Sequence, residues 1–286
     1  MKLDGRRVSS NVEDRRRMSG GGKAGLGIGG VIVIALITWL MGGNPLDVVQ
    51  QVGVQGLTES QYSEHEFTAE EEELATFAGQ ILAGTEDVWT EIFRQMGRQY
   101  VAPRLVLYTG ATQSGCGMGQ AEMGPFYCSA DQCVYLDLSF FTQMKRQLGA
   151  DGDFAYAYVI AHEVGHHVQY LLGTLDEAHQ AMARTSKKEA NQISVRLELQ
   201  ADFYAGVWAH HDNKLYGSLE AGDIDEAIDC AQKIGDNYLQ EKAQGRSVPD
   251  SFTHGTSEQR SRWLKKGITT GDIRQGDSFS PAYSRL

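Results

Sequence analysis

The sequence predicts an α+β domain, mostly helical with a small β-sheet, preceded by one transmembrane helix. Residues 154–172 and 194–210 contain no proline and repeat apolar or small residues every three or four positions, which is typical of helices. Residues 105–108 and 134–138 are short segments rich in branched and aromatic residues, which is typical of strands. Residues 24–43 contain no charged residue, and 20 residues are enough to cross a hydrocarbon core of about 30 Å.

The N-terminal region predicts how this domain is placed in the cell. Residues 1–23 contain seven basic and three acidic residues, so the positive-inside tendency predicts a cytoplasmic leader before the anchor at 24–43. The sequence predicts a polar linker over residues 44–66, the folded domain over residues 67–275 and a frayed tail over residues 276–286. We therefore expect a single-pass protein of the cell inner membrane, with its domain on the periplasmic or extracytoplasmic side. A cleaved signal peptide is the alternative, but no clear cleavage site follows the apolar run.

The charge of the chain argues against nucleic acid as a partner. Its formal net charge is −11, with 37 acidic and 26 basic residues, and without the basic leader the rest is more acidic still. Such a surface repels phosphate backbones. The glycine-rich stretch 110–124 lacks the Lys-Ser/Thr ending of a phosphate loop. We expect no nucleic acid to bind.

The most informative motif is H-E-x-x-H, formed by His162, Glu163 and His166. Four residues make about one helical turn, so the two histidines project side by side and can offer two ring nitrogens to one metal ion. Glu163 lies on the flank, where a carboxylate can take a proton from metal-bound water. Asp153 is a natural N-cap and Gly173 a natural C-cap for this helix. The motif predicts a zinc hydrolase, although a buried helix with hydrogen-bonded histidines is the simpler alternative.

A catalytic zinc ion usually has three protein ligands, so a third donor must come from elsewhere in the chain. Glu198 is the best candidate, and Asp202 lies one turn further on the same helical face. Ala201 lies between these two residues, and Ala205 follows them. Both alanines are small enough to let this helix approach Gly165 of the first helix. Asp202 can then accept the free ring N–H of a histidine ligand. A solvated Glu/Asp pair would explain the charges but not the alanines.

These motifs resemble those of a known family. H-E-V-G-H at 162–166 and E-L-Q-A-D at 198–202 resemble the gluzincin arrangement, and four further stretches are similar to the bacterial neutral zinc metallopeptidase family (YpfJ-like). The stretches are Gly-Cys-Gly, Gly-Pro-Phe-Tyr-Cys, Tyr-Leu-Asp-Leu-Ser-Phe and Phe-Thr-His-Gly-Thr. The resemblance implies a membrane-anchored, zincin-like metallopeptidase domain with one zinc ion. It implies His162, His166 and Glu198 as ligands and Glu163 as general base.

The resemblance implies that a third region, around His254, belongs to the same site. Thr256 to Gln259 has the T-x-x-Q form of a capping box, which predicts a short helix to residue 266 with Gly267 at its end. Related gluzincin peptidases carry a histidine and an arginine after the third ligand. His254 and Arg260 resemble that element, which implies that one of them stabilises the oxyanion or orients a carboxylate. A solvated or structural loop histidine is the alternative.

Four cysteines allow three fully paired connectivities, and pairing is expected in an oxidising compartment. Cys116 and Cys128 both lie in turn-rich sequence, so we predict a disulfide between them. A second disulfide between Cys133 and Cys230 then follows by elimination. A cysteine zinc site is the competing interpretation, but no C-x-x-C spacing is present.

Together these features predict a membrane-anchored zinc metallopeptidase that hydrolyses peptide or protein substrates with a zinc-activated water. An endopeptidase is favoured over an exopeptidase. Either segment 105–108 or 134–138 could pair with a substrate backbone as an edge strand, but a sheet that supports the core is the simpler interpretation. The alternative function is a zinc-containing, non-hydrolytic envelope protein that binds partner proteins.

Overall fold

The structure, a computed structural model, describes residues 1–17 and 67–286. The predicted membrane anchor at 24–43 and linker at 44–66 lie outside these residues. Within the described part of the chain, no helix is long and apolar enough to span a membrane. Its helices are α1 (Ala69–Gln95), α2 (Ser139–Gln143, continued by a π-helix over Met144–Leu148), α3 (Asp153–Leu172), α4 (Thr174–Met182), α5 (Lys187–Tyr216), α6 (Asp223–Lys233), α7 (Asp236–Gln244) and α8 (Ser257–Thr270).

A four-stranded sheet lies beside this helical layer, and a separate hairpin adjoins it. The strands are β1 (Val12–Asp14), β2 (Arg104–Tyr108), β3 (Ala111–Ser114), β4 (Gly117–Gln120), β5 (Phe126–Cys128) and β6 (Cys133–Asp137). The sheet order is β1-β2-β6-β5, with β5 antiparallel to β6 and the other pairs parallel, while β3 and β4 form the hairpin. The α+β prediction is confirmed. The two predicted strands, β2 and β6, are both interior, so neither offers a free edge to a substrate.

Helices α3, α5 and α8 form the centre of the domain, and glycines allow their close contacts. A Cβ atom at Gly165 of α3 would lie 2.9 Å from the carbonyl oxygen of Ala201 in α5. A Cβ atom at Gly267 would lie 2.1 Å from the carbonyl oxygen of Phe203. Gly267 therefore lies inside α8. The sequence analysis had placed it at the end of this helix. The helix continues to a left-handed cap at Gly271.

The first 17 residues are part of this domain. Strand β1 pairs with β2, with Val12 opposite Leu105 in a parallel register. Arg6 donates to both carboxylate oxygens of Asp212 at 2.6 and 3.0 Å, and both side chains are buried. This differs from the prediction of a cytoplasmic leader separate from the domain. Four of the basic residues that suggested a topology signal, Arg6, Arg7, Arg15 and Arg16, have acidic partners in the fold.

The C-terminal residues also pack on the domain, contrary to the prediction of a frayed tail. Arg196 of α5 donates hydrogen bonds to the carbonyl oxygens of Ser278, Phe279 and Pro281. The Ser278 side chain is buried, and so is Leu286. Residues 276–286 therefore pack on the folded domain, because one arginine of α5 binds three carbonyl groups between Ser278 and Pro281.

Cys116 and Cys128 form the predicted disulfide, which ties the β3–β4 turn to β5. The predicted second disulfide is wrong, since Cys133 and Cys230 are free and buried. Cys133 packs with the outer face of the sheet, whereas Cys230 of α6 packs in the main core and contacts the sulfur of Met144. Buried cysteines often pack as small apolar side chains, so an even number of cysteines did not require full pairing.

Candidate active site

Helix α3 carries the H-E-x-x-H motif through the centre of the domain. The helix begins after Gly152, so Asp153 is its first residue and not its N-cap as predicted, and it ends at a left-handed Gly173. Most of its side chains are buried, including those of His162 and Glu163. Proline-free sequence with apolar residues on several faces favours a buried helix of this kind. The two motif histidines face a second helix, α5.

Glu198 of α5 lies opposite both histidines. Its Oε2 is 3.1 Å from Nε2 of His162, and its Oε1 is 3.5 Å from Nε2 of His166. The close approach of Gly165 and Ala201 allows this geometry, because it brings the backbones of α3 and α5 together beside the three side chains. The structure thus brings together the three residues predicted as metal ligands.

The donor set fits a zinc ion. One nitrogen or oxygen from each of His162, His166 and Glu198 lies within 4.8 Å of the others. Tetrahedral zinc with bonds of about 2.0–2.1 Å to nitrogen and oxygen requires ligand atoms about 3.3 Å apart, which the contacts of Glu198 already approach. The Nδ1 atoms of the two histidines have other partners, Asp202 and Gln169, at 2.8 and 2.9 Å. Both Nε2 atoms are therefore directed to the same point.

Asp202 lies 2.8 Å from Nδ1 of His162, the atom that it was expected to contact from its position one turn after Glu198. Its carboxylate is fully buried and also accepts hydrogen bonds from the Tyr158 hydroxyl at 2.6 Å and from Arg260 at 2.9 Å. A carboxylate on the second nitrogen of a metal-binding histidine fixes the tautomer and the orientation of the ring. The predicted role of Arg260 in orienting a carboxylate fits this contact.

The electrostatics of these groups suit a cation. Burial would raise the pKa of Asp202, but Arg260 and His162 lower it to about 2. Burial would likewise raise the pKa of Glu198, but His166 and His254 hold it below its usual range. Burial lowers the pKa of His166 to about 4. The two ionised carboxylates and the neutral His166 are in the protonation states that metal ligation and its support require, whereas the raised pKa of His162 means that a metal ion would displace a proton from this residue.

Glu163 faces the cavity beside the ligand set, where its carboxylate can act on a bound molecule. Burial, together with the nearby charge of Glu198, raises the pKa of Glu163 to about 7. The charge of His162 lowers the pKa of Glu163 and so opposes this shift. The pKa of His162 itself is raised to about 10, because the effects of Asp202 and Glu198 outweigh that of burial. A general base is most effective when its pKa lies near the working pH.

His254 lines the same cavity and is held by a buried aspartate that the sequence analysis did not single out. Asp236, at the start of α7, accepts hydrogen bonds at its Oδ2 from the backbone N–H groups of Thr253, His254 and Gly255. Its Oδ1 lies 3.3 Å from Nδ1 of His254. Burial would lower the pKa of His254, but Glu198 and Asp236 raise it. The loop thus presents a histidine with cationic character to the cavity.

The sequence analysis missed two supporting residues, Asp236 and Gln169. Asp236 lies 18 residues from His254, and neither spacing nor composition links them. Gln169 lies three residues after His166 on α3, and that spacing was a signal that could have been used. Among the other described histidines, His179 is exposed on α4 and lines the cavity, whereas the rest form hydrogen bonds within the fold. His167, for example, contacts the Tyr127 hydroxyl and the carbonyl oxygen of Val101.

Comparison with known proteins agrees with this chemistry. A family model described as "Putative neutral zinc metallopeptidase" matches residues 1–279. The chain belongs to this neutral zinc metallopeptidase family. "Uncharacterized protein YpfJ" of Escherichia coli strain K12 is 49% identical over 98% of this chain and 99% of its own length.

A more distant relative in the family comes from another bacterium. "Uncharacterized protein Mb2605" of Mycobacterium bovis is 40% identical over 193 residues, which are 64% of each chain. No solved structure matches the chain. The family match supports the assignment of zinc to the histidine and glutamate donors, whereas the names of these relatives do not define a substrate.

Proposed function

We propose that this protein is a zinc-dependent peptidase that hydrolyses peptide bonds in peptides or proteins. One observation carries the proposal: His162, His166 and Glu198 converge on one point of a cavity that Glu163 also lines. A structural zinc site usually uses four protein ligands, whereas three ligands and a neighbouring carboxylate are typical of a catalytic site.

Each side chain at the site would have a separate role in hydrolysis. A zinc ion bound by the three ligands would lower the pKa of a water molecule and polarise the substrate carbonyl. Glu163 takes a proton from the attacking water and then delivers it to the leaving amine. Asp202 keeps the Nδ1 atom of His162 protonated, so that its Nε2 atom remains available as a donor.

His254 and Arg260 have different roles in this proposal. Arg260 is buried and donates to Asp202 through two nitrogens, so it orients the carboxylate behind the zinc ligands. His254 lines the cavity and carries a raised pKa, so it donates a hydrogen bond to the negative charge that develops on the carbonyl oxygen. Asp236 positions His254 for this contact.

Endopeptidase activity is the form that the cavity supports best. The cavity extends past the ligand set in both directions, from Leu239 of α7 to Met182 of α4. A substrate can therefore have residues on both sides of the cleaved bond. Strand β5, the edge of the sheet on this side, lines the cavity through Phe126 and Tyr127 and offers a backbone edge for pairing.

The compartment that we propose for residues 1–17 differs from the cytoplasmic location predicted for the leader. The disulfide between Cys116 and Cys128 supports an extracytoplasmic domain, because disulfides persist in oxidising compartments. Residues 1–17 are part of the same folded unit, since β1 pairs with β2. We therefore propose that both ends of the segment 18–66 face the same compartment as the active site, while the stretch 24–43 supplies the apolar sequence for membrane contact.

Two substitutions test the zinc ligand and the general base separately. We expect Glu163→Gln to retain about one equivalent of zinc and lose at least about 10²-fold in the hydrolysis of a quenched peptide library. We expect Glu198→Ala to lose both zinc and hydrolysis, with partial recovery at high zinc concentration. Glu241→Gln, an exposed position on α7, is the matched control and should behave like the parent protein. Full activity of Glu163→Gln would refute the assigned mechanism, and a zinc-loaded parent without hydrolysis would favour a non-hydrolytic binding protein.

A further inference from the structure

The cavity at the metal ligands has a volume of about 470 Å³ and extends into two apolar regions. The first region, called here the α7 side, lies toward the N-terminal half of α3. It is formed by Phe140, Leu148, Val159, Ile234 and Leu239. Val159 is one turn before His162, so this region adjoins the predicted reaction centre directly.

The second region, called here the α4 side, lies beyond the C-terminal end of the motif. It is formed by Leu175 and Met182 of α4 together with Leu197 of α5, the residue before Glu198. Leu175 and Leu197 belong to a small apolar cluster that is separate from the main core. This region therefore adjoins the metal ligands from the opposite side.

The acidic and arginine side chains lie at the centre of the cavity, and the titratable residue beside the α4 side is the exposed His179. Among the described residues that line it, the acidic and arginine side chains are Glu163, Glu198 and Arg260, and each has a role at the reaction centre. Neither apolar region presents a lysine, arginine, aspartate or glutamate among those lining residues. Transfer of an unpaired charged side chain into such a region is costly, whereas burial of an apolar side chain is favourable.

We propose that the substrate is an extended polypeptide segment with a large apolar side chain on each side of the cleaved bond. One side chain occupies the α7 side and the other the α4 side, so the two regions determine cleavage specificity independently. This inference rests on the proposed peptidase function. It adds the substrate class, which neither the ligand set nor the family match defines.

The test uses the full-length, zinc-loaded protein and quenched decapeptides that differ only at the two central positions. The centres are Leu-Leu, Leu-Asp, Asp-Leu, Leu-Lys, Lys-Leu and Ser-Ser, and mass spectrometry locates the cleaved bond. We expect Leu-Leu to exceed every charged centre by at least about 10-fold in kcat/KM, which is the discrimination that apolar pockets achieve. Cleavage of all six peptides within a factor of about two would overturn the inference and leave the peptidase function intact.

Two variants test whether each region acts on its own side. Leu239 lies outside the core clusters, and Met182 is half-buried at the edge of the small cluster that contains Leu175, so substitution of either residue leaves the main core intact. We expect Leu239→Lys to raise cleavage of a peptide with an acidic residue at one central position only. We expect Met182→Lys to do so at the other position. Leu215→Lys, at an exposed site near the end of α5, is the matched control and should keep the parent preference.

A binding measurement separates specificity from catalysis. Fluorescein-labelled peptides with the Leu-Leu and Asp-Asp centres are titrated with the Glu163→Gln variant, which retains its zinc ligands. We expect at least about 10-fold tighter binding of the Leu-Leu peptide. Equal binding, or the same shift in preference from both lysine variants, would refute the assignment of the two regions. Absence of hydrolysis by the zinc-loaded parent, with Leu-Leu binding intact, would refute the peptidase function and not the binding preference.

Discussion

Arg260 donates from Nε to Oδ2 of Asp202 and from Nη2 to Oδ1, each at 2.9 Å, deep in the domain. The same carboxylate accepts the Nδ1 hydrogen of His162, so a buried ion pair lies directly behind one predicted zinc ligand. The two side chains are 4% and 0% exposed. Stability and metal affinity are therefore linked through a single carboxylate.

Substitution Arg260→Ala should affect both properties. Removal of one partner leaves the buried Asp202 charge unpaired, which should lower the free energy of unfolding by about 3–5 kcal/mol. Zinc affinity should fall about 10- to 100-fold because the support of a ligand is altered. Urea unfolding of the zinc-free protein and competition with a chelator measure the two effects. Arg274→Ala, which removes a surface pair with Asp272, should leave the urea unfolding curve close to that of the parent protein.

Substitution Gly165→Ala should separate α3 from α5. Alanine is favoured over glycine by roughly 1 kcal/mol in an isolated helix. Here the added Cβ would lie 2.9 Å from the carbonyl oxygen of Ala201, so overpacking should outweigh that gain and destabilise the protein by about 1–3 kcal/mol. Glu198 would move away from both histidines, and zinc affinity should fall as well. A variant more stable than the parent would show that the helices separate without strain.

The centre of the site could be predicted from sequence because its geometry is local. One helical turn places His162 beside His166, and no knowledge of the fold is needed. Glu198 required a second inference, that small residues let two helices approach, and the contact of Gly165 with Ala201 has that form. The support of His254 by Asp236 could not be predicted, because it depends on a loop that folds back over the start of α7.

The contacts of the N-terminal segment could not be predicted either, because its partners are distant in the sequence. A cluster of basic residues before an apolar stretch is typical of a cytoplasmic leader, and that pattern is local. The acidic partners of Arg6 and Arg7, Asp212 and Glu86, lie 206 and 79 residues further along the chain. Only the tertiary structure shows that these charges form ion pairs within the domain.

Substitution Asp236→Ala should reduce activity without removing zinc. The change leaves three backbone N–H groups near His254 without their acceptor, and each such buried group costs about 1–3 kcal/mol. The loop would lose its shape, and kcat should fall while KM and zinc content change little. Asp236→Asn keeps one acceptor oxygen and should recover part of the activity. Loss of zinc in Asp236→Ala would instead indicate a purely structural role.

The oxidised protein should contain two free thiols and one disulfide. Cys133 and Cys230 are buried, and burial raises the pKa of both thiols, so neither should react with a thiol reagent in the native state. Both should react after unfolding in urea without reductant, and peptide mapping should join Cys116 to Cys128. Detection of four thiols, or of none, would contradict the pairing seen in the structure.

The last prediction concerns the side of the membrane on which the first residues lie. Because β1 pairs with β2 and Arg6 pairs with the buried Asp212, residues 1–17 and the active site should be accessible from the same compartment. Single cysteines introduced at the exposed positions Ser10 and Glu241 should therefore react alike with a membrane-impermeant maleimide in intact cells. Arg6→Ala should also lower the free energy of unfolding by about 3–5 kcal/mol, since it leaves Asp212 unpaired. Labelling of the two cysteines from opposite sides would mean that β1 does not join the sheet in the cell, and Arg6→Ala would then have little effect on stability.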